Sequence, residues 1–236
     1  MAATVRGKRV VLYSGGLDSF CLAHYIKPDV LLYFDAGLPE QQMERRRIQD
    51  LIDAHGLPAP VYFDDRFHLA PYKLPSEAMP FRNLFFVAAA FTYGDKIYLG
   101  KTACCRHLDK TSTFAAKMLD VLKYVSQISD DNPPGLVADN MEILLPFDMR
   151  TKSQFLGEYL SSGGNIEHLM MTRSCYRADE RECGRCAPCV RKAIAFVNND
   201  LPIDFFQHNP RPHFHTQLDG SSAVVAAEIF SAIHGK

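Results

Sequence analysis

The chain has 236 residues, 47% hydrophobic and 22% charged, which at about 100–200 residues per domain suits one globular domain with an appendage. Its 26 Lys and Arg balance 27 Asp and Glu for a formal net charge of −1, so no global field exists to hold a polyanion or an anionic membrane, and nucleic-acid coating by the whole surface is excluded. Apolar runs stop well short of the roughly 20 residues that span a bilayer, no signal-peptide pattern opens the chain, and four of the seven cysteines crowd between Cys175 and Cys189. These features predict a cytoplasmic protein with a metal site, with no membrane partner and no disulfide scaffold.

In chain order, the β-branched run at residues 9–13 predicts a strand, residues 19–25 a helix and residues 30–34 a second strand. Met43, Ile48, Leu51 and Ile52 fall close to helical spacing with charges between them, so residues 41–55 predict a surface helix, and a short strand follows at 60–63. Residues 83–92 are apolar all round, which predicts a buried helix, with a strand at 96–99 after Gly94-Asp95. A helix over 111–124, a loop over 127–140 around Pro133-Pro134-Gly135, a strand at 142–145 and a helix over 152–160 complete the series. Strands alternating with helices predict a parallel, doubly wound α/β sheet over residues 1–162. Past Gly163 come the cysteines, a helix near 188–198, a Pro- and His-rich stretch (His208, His213, His215) to which no role is assigned, and an alanine-rich helical tail over 222–233. Residues 163–236 are therefore expected to form a small zinc-binding helical subdomain and tail.

Ser14-Gly15-Gly16-Leu17-Asp18-Ser19 lies between the first strand and the first helix, where a doubly wound sheet binds its ligands. Adjacent glycines let backbone N–H groups converge on an anion, the helix N-terminus adds partial positive charge, and Ser14 and Ser19 supply hydroxyls. Asp18 would repel a bare phosphate, so it either meets phosphates through Mg²⁺ or caps the helix. The spacing Cys175-x7-Cys183-x2-Cys186-x2-Cys189, with Gly184 between the second and third cysteines, predicts a closed four-thiolate Zn²⁺ site of structural type. Arg173, Arg177, Arg181, Arg185 and Arg191 lie around it in sequence and are expected to compensate its charge or to donate to its sulfurs. Arg82 and Asn83 open the apolar helix, where Asn83 can cap it and Arg82 can face either the ligand edge or a surface ion pair. Lys152 starts the helix after the fifth strand and offers a compact charge to a leaving anion.

The run SGGLDS after a first strand resembles the PP-loop ATP pyrophosphatases, which cleave ATP between the α and β phosphates to adenylate a substrate. Pro80-Phe81-Arg82-Asn83, Lys152 after Pro146 and the terminal cysteine cluster resemble, within that superfamily, the 7-cyano-7-deazaguanine synthases of the queuosine and deazapurine pathways, over about residues 10–206. The resemblance implies the adenine nucleotide alpha hydrolase-like fold and a carbon–nitrogen ligase that uses ATP and Mg²⁺. It implies ATP contacts from Ser14, Gly15, Gly16, Leu17, Asp18, Ser19, Asp35 and Gly37, with Ser14, Asp18, Ser19, Arg82 and Lys152 catalytic. Arg82, Lys101 and Asp109 are then expected at the substrate, 7-carboxy-7-deazaguanine, with ammonia as the second partner and a homodimer allowed.

Two departures stand out. The family's Tyr-Gly-Gln run appears here as Ala36-Gly37-Leu38, and its acidic run ending Tyr-Pro-Asp-Cys-Arg is replaced by the shorter, basic Gly100-Lys101-Thr102-Ala103-Cys104-Cys105-Arg106-His107-Leu108-Asp109, in which Asp109 alone matches. Asp109 is read either as a receptor for guanine-like N–H donors or as a helix cap for Thr111 onward. The altered run motivates a second reading, transfer of the activated deazapurine to another amine such as a protein amine, as in relatives associated with antiphage defence. Cys104 and Cys105 motivate a third, tRNA thiolation. A fourth reads the cysteine cluster as a zinc ribbon gripping nucleic acid, which an intact Ser14, Asp18 and Arg82 oppose.

Overall fold

A computed structural model describes residues 4–74, 79–105, 107–127, 130 and 132–235. Strand β1 (Arg9–Leu12), helix α1 (Leu17–Ile26), β2 (Val30–Phe34), α2 (Gln41–Asp53), β3 (Val61–Asp64), α3 (Arg82–Ala90), β4 (Lys96–Tyr98), α4 (Ser112–Val125), β5 (Glu142–Leu144) and α5 (Lys152–Ser161) form the α/β part. Helices α6 (Ile166–Met171), α7 (Ala187–Val197) and α8 (Ala223–His234) follow. The strands form one sheet, order β3-β2-β1-β4-β5, with every pairing parallel. Successive side chains of a strand point to opposite faces. Val11, Leu31 and Tyr33 accordingly enter one core, with Phe20 and Leu22 of α1, Ile48 and Leu51 of α2, and Phe155 and Leu156 of α5. Val10, Val30, Leu32, Phe34, Ile97 and Ile143 enter a second core, with Val87 and Ala90 of α3 and Ala115 and Met118 of α4. Helices cover both faces, as the alternating pattern predicts.

The chain turns outward from β1 to β2 on one side and to β4 on the other, so the order reverses between β1 and β4, and the crevice beyond their carboxyl ends is the ligand position of such a sheet. Both SGGLDS and the run 100–110 leave the sheet at that point.

A third core holds three of the four cluster cysteines with Val190, Ile194, Phe206, Phe214, Val225, Ile229 and Ala232. Helix α7 joins it to the sheet, since Ala195 and Phe196 of the same helix belong to the first core. Among the described residues no helix is long and apolar enough to cross a membrane. Arg106 of the basic run and part of the 127–140 segment lie outside the described residues.

One expectation is corrected. Helix α3 is apolar from Leu84 to Ala90 yet buried on one side alone. Asn83, Val87 and Ala90 are covered, whereas Leu84 and Phe85 are 39% and 41% exposed, because α3 meets the sheet through Val87 and Ala90.

Candidate active site

Strand β1 runs directly into the SGGLDS loop. Gly15 takes φ +69, and a Cβ there would sit 2.9 Å from Ile48 Cγ1, so both backbone and space demand glycine. Ser14 N donates to Ser19 Oγ at 3.2 Å, and Ser19 Oγ donates to Gly16 O at 3.1 Å, so the buried Ser19 closes the loop from within. Arg173 N ties the loop to the C-terminal part through Gly15 O, 2.8 Å. Helix α1 begins after Gly16 with no side-chain cap, which leaves its first N–H groups free for an anion.

Asp18 is therefore not a cap. Its Oδ1 pairs with Lys152 Nζ. Lys152 is buried at the start of α5, whose register is set by the Thr151–Gln154 capping box. Burial works against the lysine's charge, but the Asp18 carboxylate, with Cys104, outweighs it and holds the pKa above the ordinary lysine value.

These groups open onto a cavity of about 1100 Å³, above the roughly 300–1,000 Å³ of common ligand pockets and so with room for a nucleotide beside a second molecule. Its wall includes Ser14, Gly16, Leu17, Asp18, Ser19, Arg82, Asp109 and Lys152 from the expected set. Asp109 accepts from Asn83 Nδ2 at 2.7 Å, and the cap of α4 is Thr111, whose hydroxyl accepts from Phe114 N. The helix-cap alternative for Asp109 is thus overturned, as is capping by Asn83. Asn83 lies inside α3, where Phe81 holds the cap position, and its amide reaches Asp109 instead.

Asp35, Gly37 and Lys101 stand off the cavity wall. Asp35 bonds Arg45 Nη1 at 3.1 Å and Gly37 N at 3.1 Å, a turn that brings Ala36 and Leu38 to the wall instead. Lys101 Nζ reaches back to Asp148 O at 2.9 Å.

The cavity also holds Glu44, Lys110 and, from the tail, Glu228, which the sequence reading passed over, together with Arg173 and Arg191, which it had placed at the cysteine cluster. Burial pushes the Glu44 carboxyl up to about 7, against the opposing hydrogen bond from Tyr33 OH and the nearby Arg82. Burial lowers Lys110, and Arg82 adds to the shift. Burial thus raises a carboxyl and lowers an amine in the same cavity, and perturbed groups of this kind gather at functional sites. Glu44 had a signal in the pattern, since it lies one helical turn before buried Ile48 and so on the inner face of α2.

Next to the cavity, the sulfurs of Cys175, Cys183, Cys186 and Cys189 lie within 4.8 Å of one another. Tetrahedral Zn–S bonds of about 2.3 Å require S···S separations of roughly 3.8 Å. Cys183–Cys189 at 3.9 Å, Cys175–Cys186 at 4.0 Å and Cys186–Cys189 at 3.3 Å bracket that value, so the donor set fits Zn²⁺. The sulfurs of Cys175 and Cys183 each accept two backbone N–H groups at 3.4 Å, from Arg177 and Cys183 and from Arg185 and Cys186. Gly184 makes this turn at φ +74, where a Cβ would lie 2.0 Å from His208 O.

The expectation that arginine side chains donate to these sulfurs is corrected for three of them. Arg173 donates to the carbonyls of Arg177, Asp179 and Glu180, Arg181 to those of Asp204, Phe205 and Phe206, and Arg191 to Gln217. Main-chain donors are fixed by the turn itself, and the guanidiniums are left to brace the surrounding loops.

A parallel five-stranded sheet with helices on both faces, a glycine-containing loop at its switch point and a four-cysteine cluster beside it places the protein in the class of doubly wound α/β proteins with a candidate metal centre. The family model described as queuosine biosynthesis protein QueC matches residues 64–200, more than half of the chain, and the protein belongs to that family. It is 26% identical to a 7-cyano-7-deazaguanine synthase of Desulfitobacterium hafniense over 90% of this chain and 99% of that protein. Against its counterpart in Psychromonas ingrahamii it is 26% identical over 82% of this chain and 95% of that one. A Sulfolobus acidocaldarius protein of the same name is 24% identical over 84% of this chain, which spans about half (48%) of that longer protein. No solved structure matches the chain.

Proposed function

We propose that the protein is an ATP-dependent carbon–nitrogen ligase that adenylates the carboxylate of 7-carboxy-7-deazaguanine and, with ammonia, gives 7-cyano-7-deazaguanine. The observation that carries this reading is the convergence on one cavity of the SGGLDS loop, the Asp18–Lys152 pair, Arg82 and the Asn83–Asp109 pair.

In this reading the phosphates lie on the free N–H groups at the start of α1, with Ser14 Oγ beside them. The substrate carboxylate oxygen attacks the α-phosphorus and the bond to the β-phosphate breaks. Lys152 and Arg82 stabilise the charge that builds on the departing pyrophosphate, a term worth about 10²-fold or more per donor. Mg²⁺ suits a single carboxylate plus phosphate oxygens. Asp18 would hold it, and the ion would supply further charge neutralisation.

Ammonia then attacks the acyl carbon, AMP leaves and a proton is released, which gives the amide. A second adenylation, on the amide oxygen, followed by loss of AMP and a proton, gives the nitrile. Glu44 and Lys110 are the cavity groups suited to accept such protons. Asp109, oriented by Asn83, receives the N–H donors of the guanine-like ring.

A second reading keeps the adenylation and delivers the acyl group to a protein amine. It is favoured by the 100–110 run, where Lys110 lines the cavity and Leu108 is 83% exposed beside it, a surface on which a protein acceptor could rest. Incubation with ATP, Mg²⁺, 7-carboxy-7-deazaguanine and ammonium, followed by mass spectrometry, tests the proposal. AMP, pyrophosphate and the nitrile support it, AMP and pyrophosphate with a deazapurine–protein adduct support the second reading, and ADP contradicts both.

A further inference from the structure

Helix α8 lies outside the span that the family model matches, yet it reaches the same cavity through Val225, Glu228 and Ile229. Its inner face is anchored by buried Val225, Ile229 and Ala232. Between them Glu228 points at the first turn of α5, where Oε1 accepts from Ser153 N at 2.7 Å and from Ser153 Oγ at 2.6 Å. Ser153 follows Lys152 directly. Asn198, at the end of α7, donates through Nδ2 to Ser153 Oγ at 3.0 Å and to Glu228 O at 2.8 Å. Asn199 donates to Ser153 O at 3.0 Å. Both sides of one serine are thus held, by a carboxylate from the tail and two amides from α7.

The turn so held is the one from which Lys152 reaches across to Asp18. A helix start has free N–H groups that draw in any anion. Here Glu228 takes the Ser153 N–H and Thr151 Oγ1 takes that of Gln154, so this terminus is occupied by the protein's own groups, and substrate phosphate is left to α1 and to the Lys152 side chain.

We infer that Glu228 is a positioning residue: by clasping Ser153 it sets the start of α5, and with it the Lys152 ammonium, against Asp18 in the SGGLDS loop. The tail then belongs to the active site and is not an appendage to it. The geometric claim stands on the contacts alone, and its consequence for turnover rests on the proposed adenylation.

The test is amine-selective acylation of the full chain, read lysine by lysine by peptide mass spectrometry, with buried Lys192 as internal control because its ion pair with Glu182 lies outside the clasp. In the unaltered chain both lysines resist labelling. Glu228→Ala is expected to raise labelling at Lys152 several-fold with Lys192 unchanged, whereas Glu228→Gln, whose amide oxygen still accepts from Ser153, retains protection at both. Equal protection of Lys152 in Glu228→Ala overturns the inference. So does a rise at both lysines in the milder Ser153→Ala variant, which would mean that the contact holds the whole C-terminal part and not Lys152 in particular.

Pyrophosphate release is the second readout. Misplacement of a catalytic group by about 1 Å costs roughly 10²-fold, so Glu228→Ala is expected to lower kcat by about that factor while KM for ATP stays close to its original value. Absence of pyrophosphate from the unaltered chain would remove the proposed function and leave the labelling result to decide the clasp.

Discussion

Asp18 illustrates what a single residue's surroundings add to its sequence position. By sequence it suits a helix cap or a metal-mediated phosphate contact, and the Lys152 pairing together with the cap-free start of α1 removes the first. Asp18→Asn is expected to lower pyrophosphate formation by about 10²-fold or more, measured under saturating substrates. Asp109→Ala is expected to weaken deazapurine binding by about 1–3 kcal/mol, the cost of leaving ring donors unpaired, with ATP binding intact by calorimetry. Glu44 carries a pH signature. Its carboxyl titrates near 7 in the folded chain against 4.5 in the reference state, so between these values the folded chain keeps a proton that the unfolded chain has lost. Glu44's contribution to stability is therefore full below the unfolded value and falls away as pH rises through about 7. Denaturation of Glu44→Gln from about pH 4 to 8 is expected to show a shallower decline than the unaltered chain. Glu44 and Lys110 escaped the sequence reading because their significance is environmental. A glutamate in an amphipathic helix and a lysine beside an aspartate are commonplace until the fold brings both to the wall of one cavity.

At the scale of elements, the strands and helices of residues 1–162 were legible in chain order because the periodicities are clean and because SGGLDS falls at a strand-to-helix junction, whereas the six-residue α6, too short to show a period, was missed. The cysteine spacing was equally legible, since two thiolates on one tight turn leave little else for those residues to do. The one-sided burial of α3 was not, because the apolar stretch from Leu84 to Ala90 carries no mark of which side meets the sheet. The link between the cysteine cluster and the start of α5 was also hidden, since it depends on side chains at both ends of α7. The cluster sits at the start of α7, where Cys186 is the cap residue, and Asn198 and Asn199 at its end hold Ser153. Cys186→Ser is therefore expected to lose zinc, measured by elemental analysis, and to unfold the C-terminal part, for which a structural zinc contributes on the order of 10 kcal/mol. A full zinc equivalent with unchanged melting would contradict the assignment. Lys192→Met, which strands Glu182 in a pair whose side chains are 1% and 7% exposed, is expected to cost about 3–5 kcal/mol in denaturant titration.

Across the whole molecule, a sheet whose order reverses between β1 and β4 dictates where chemistry can occur, and the rest of the chain is arranged around that point. The loop after β1 supplies Ser14, Gly16, Asp18 and Ser19, the proposed phosphate cradle; the run after β4 supplies Asp109 and Lys110, and the C-terminal part supplies Arg173, Arg191 and the tail. Sequence order separates these pieces widely, which is why the tail's part in the cavity was not visible beforehand. An alanine-rich helix reads as an appendage, and the polar contacts of Glu228 appear only when α5, α7 and α8 meet. In the proposed function, one cavity brings a carboxylate and the α-phosphate of ATP together. Incubation with 7-carboxy-7-deazaguanine carrying oxygen-18 in its carboxylate, followed by mass spectrometry of the nucleotide product, tests this most directly. The account predicts AMP bearing one oxygen-18 atom in its phosphate, transferred when the acyl adenylate is broken by the amine; unlabelled AMP, or ADP in its place, would contradict it.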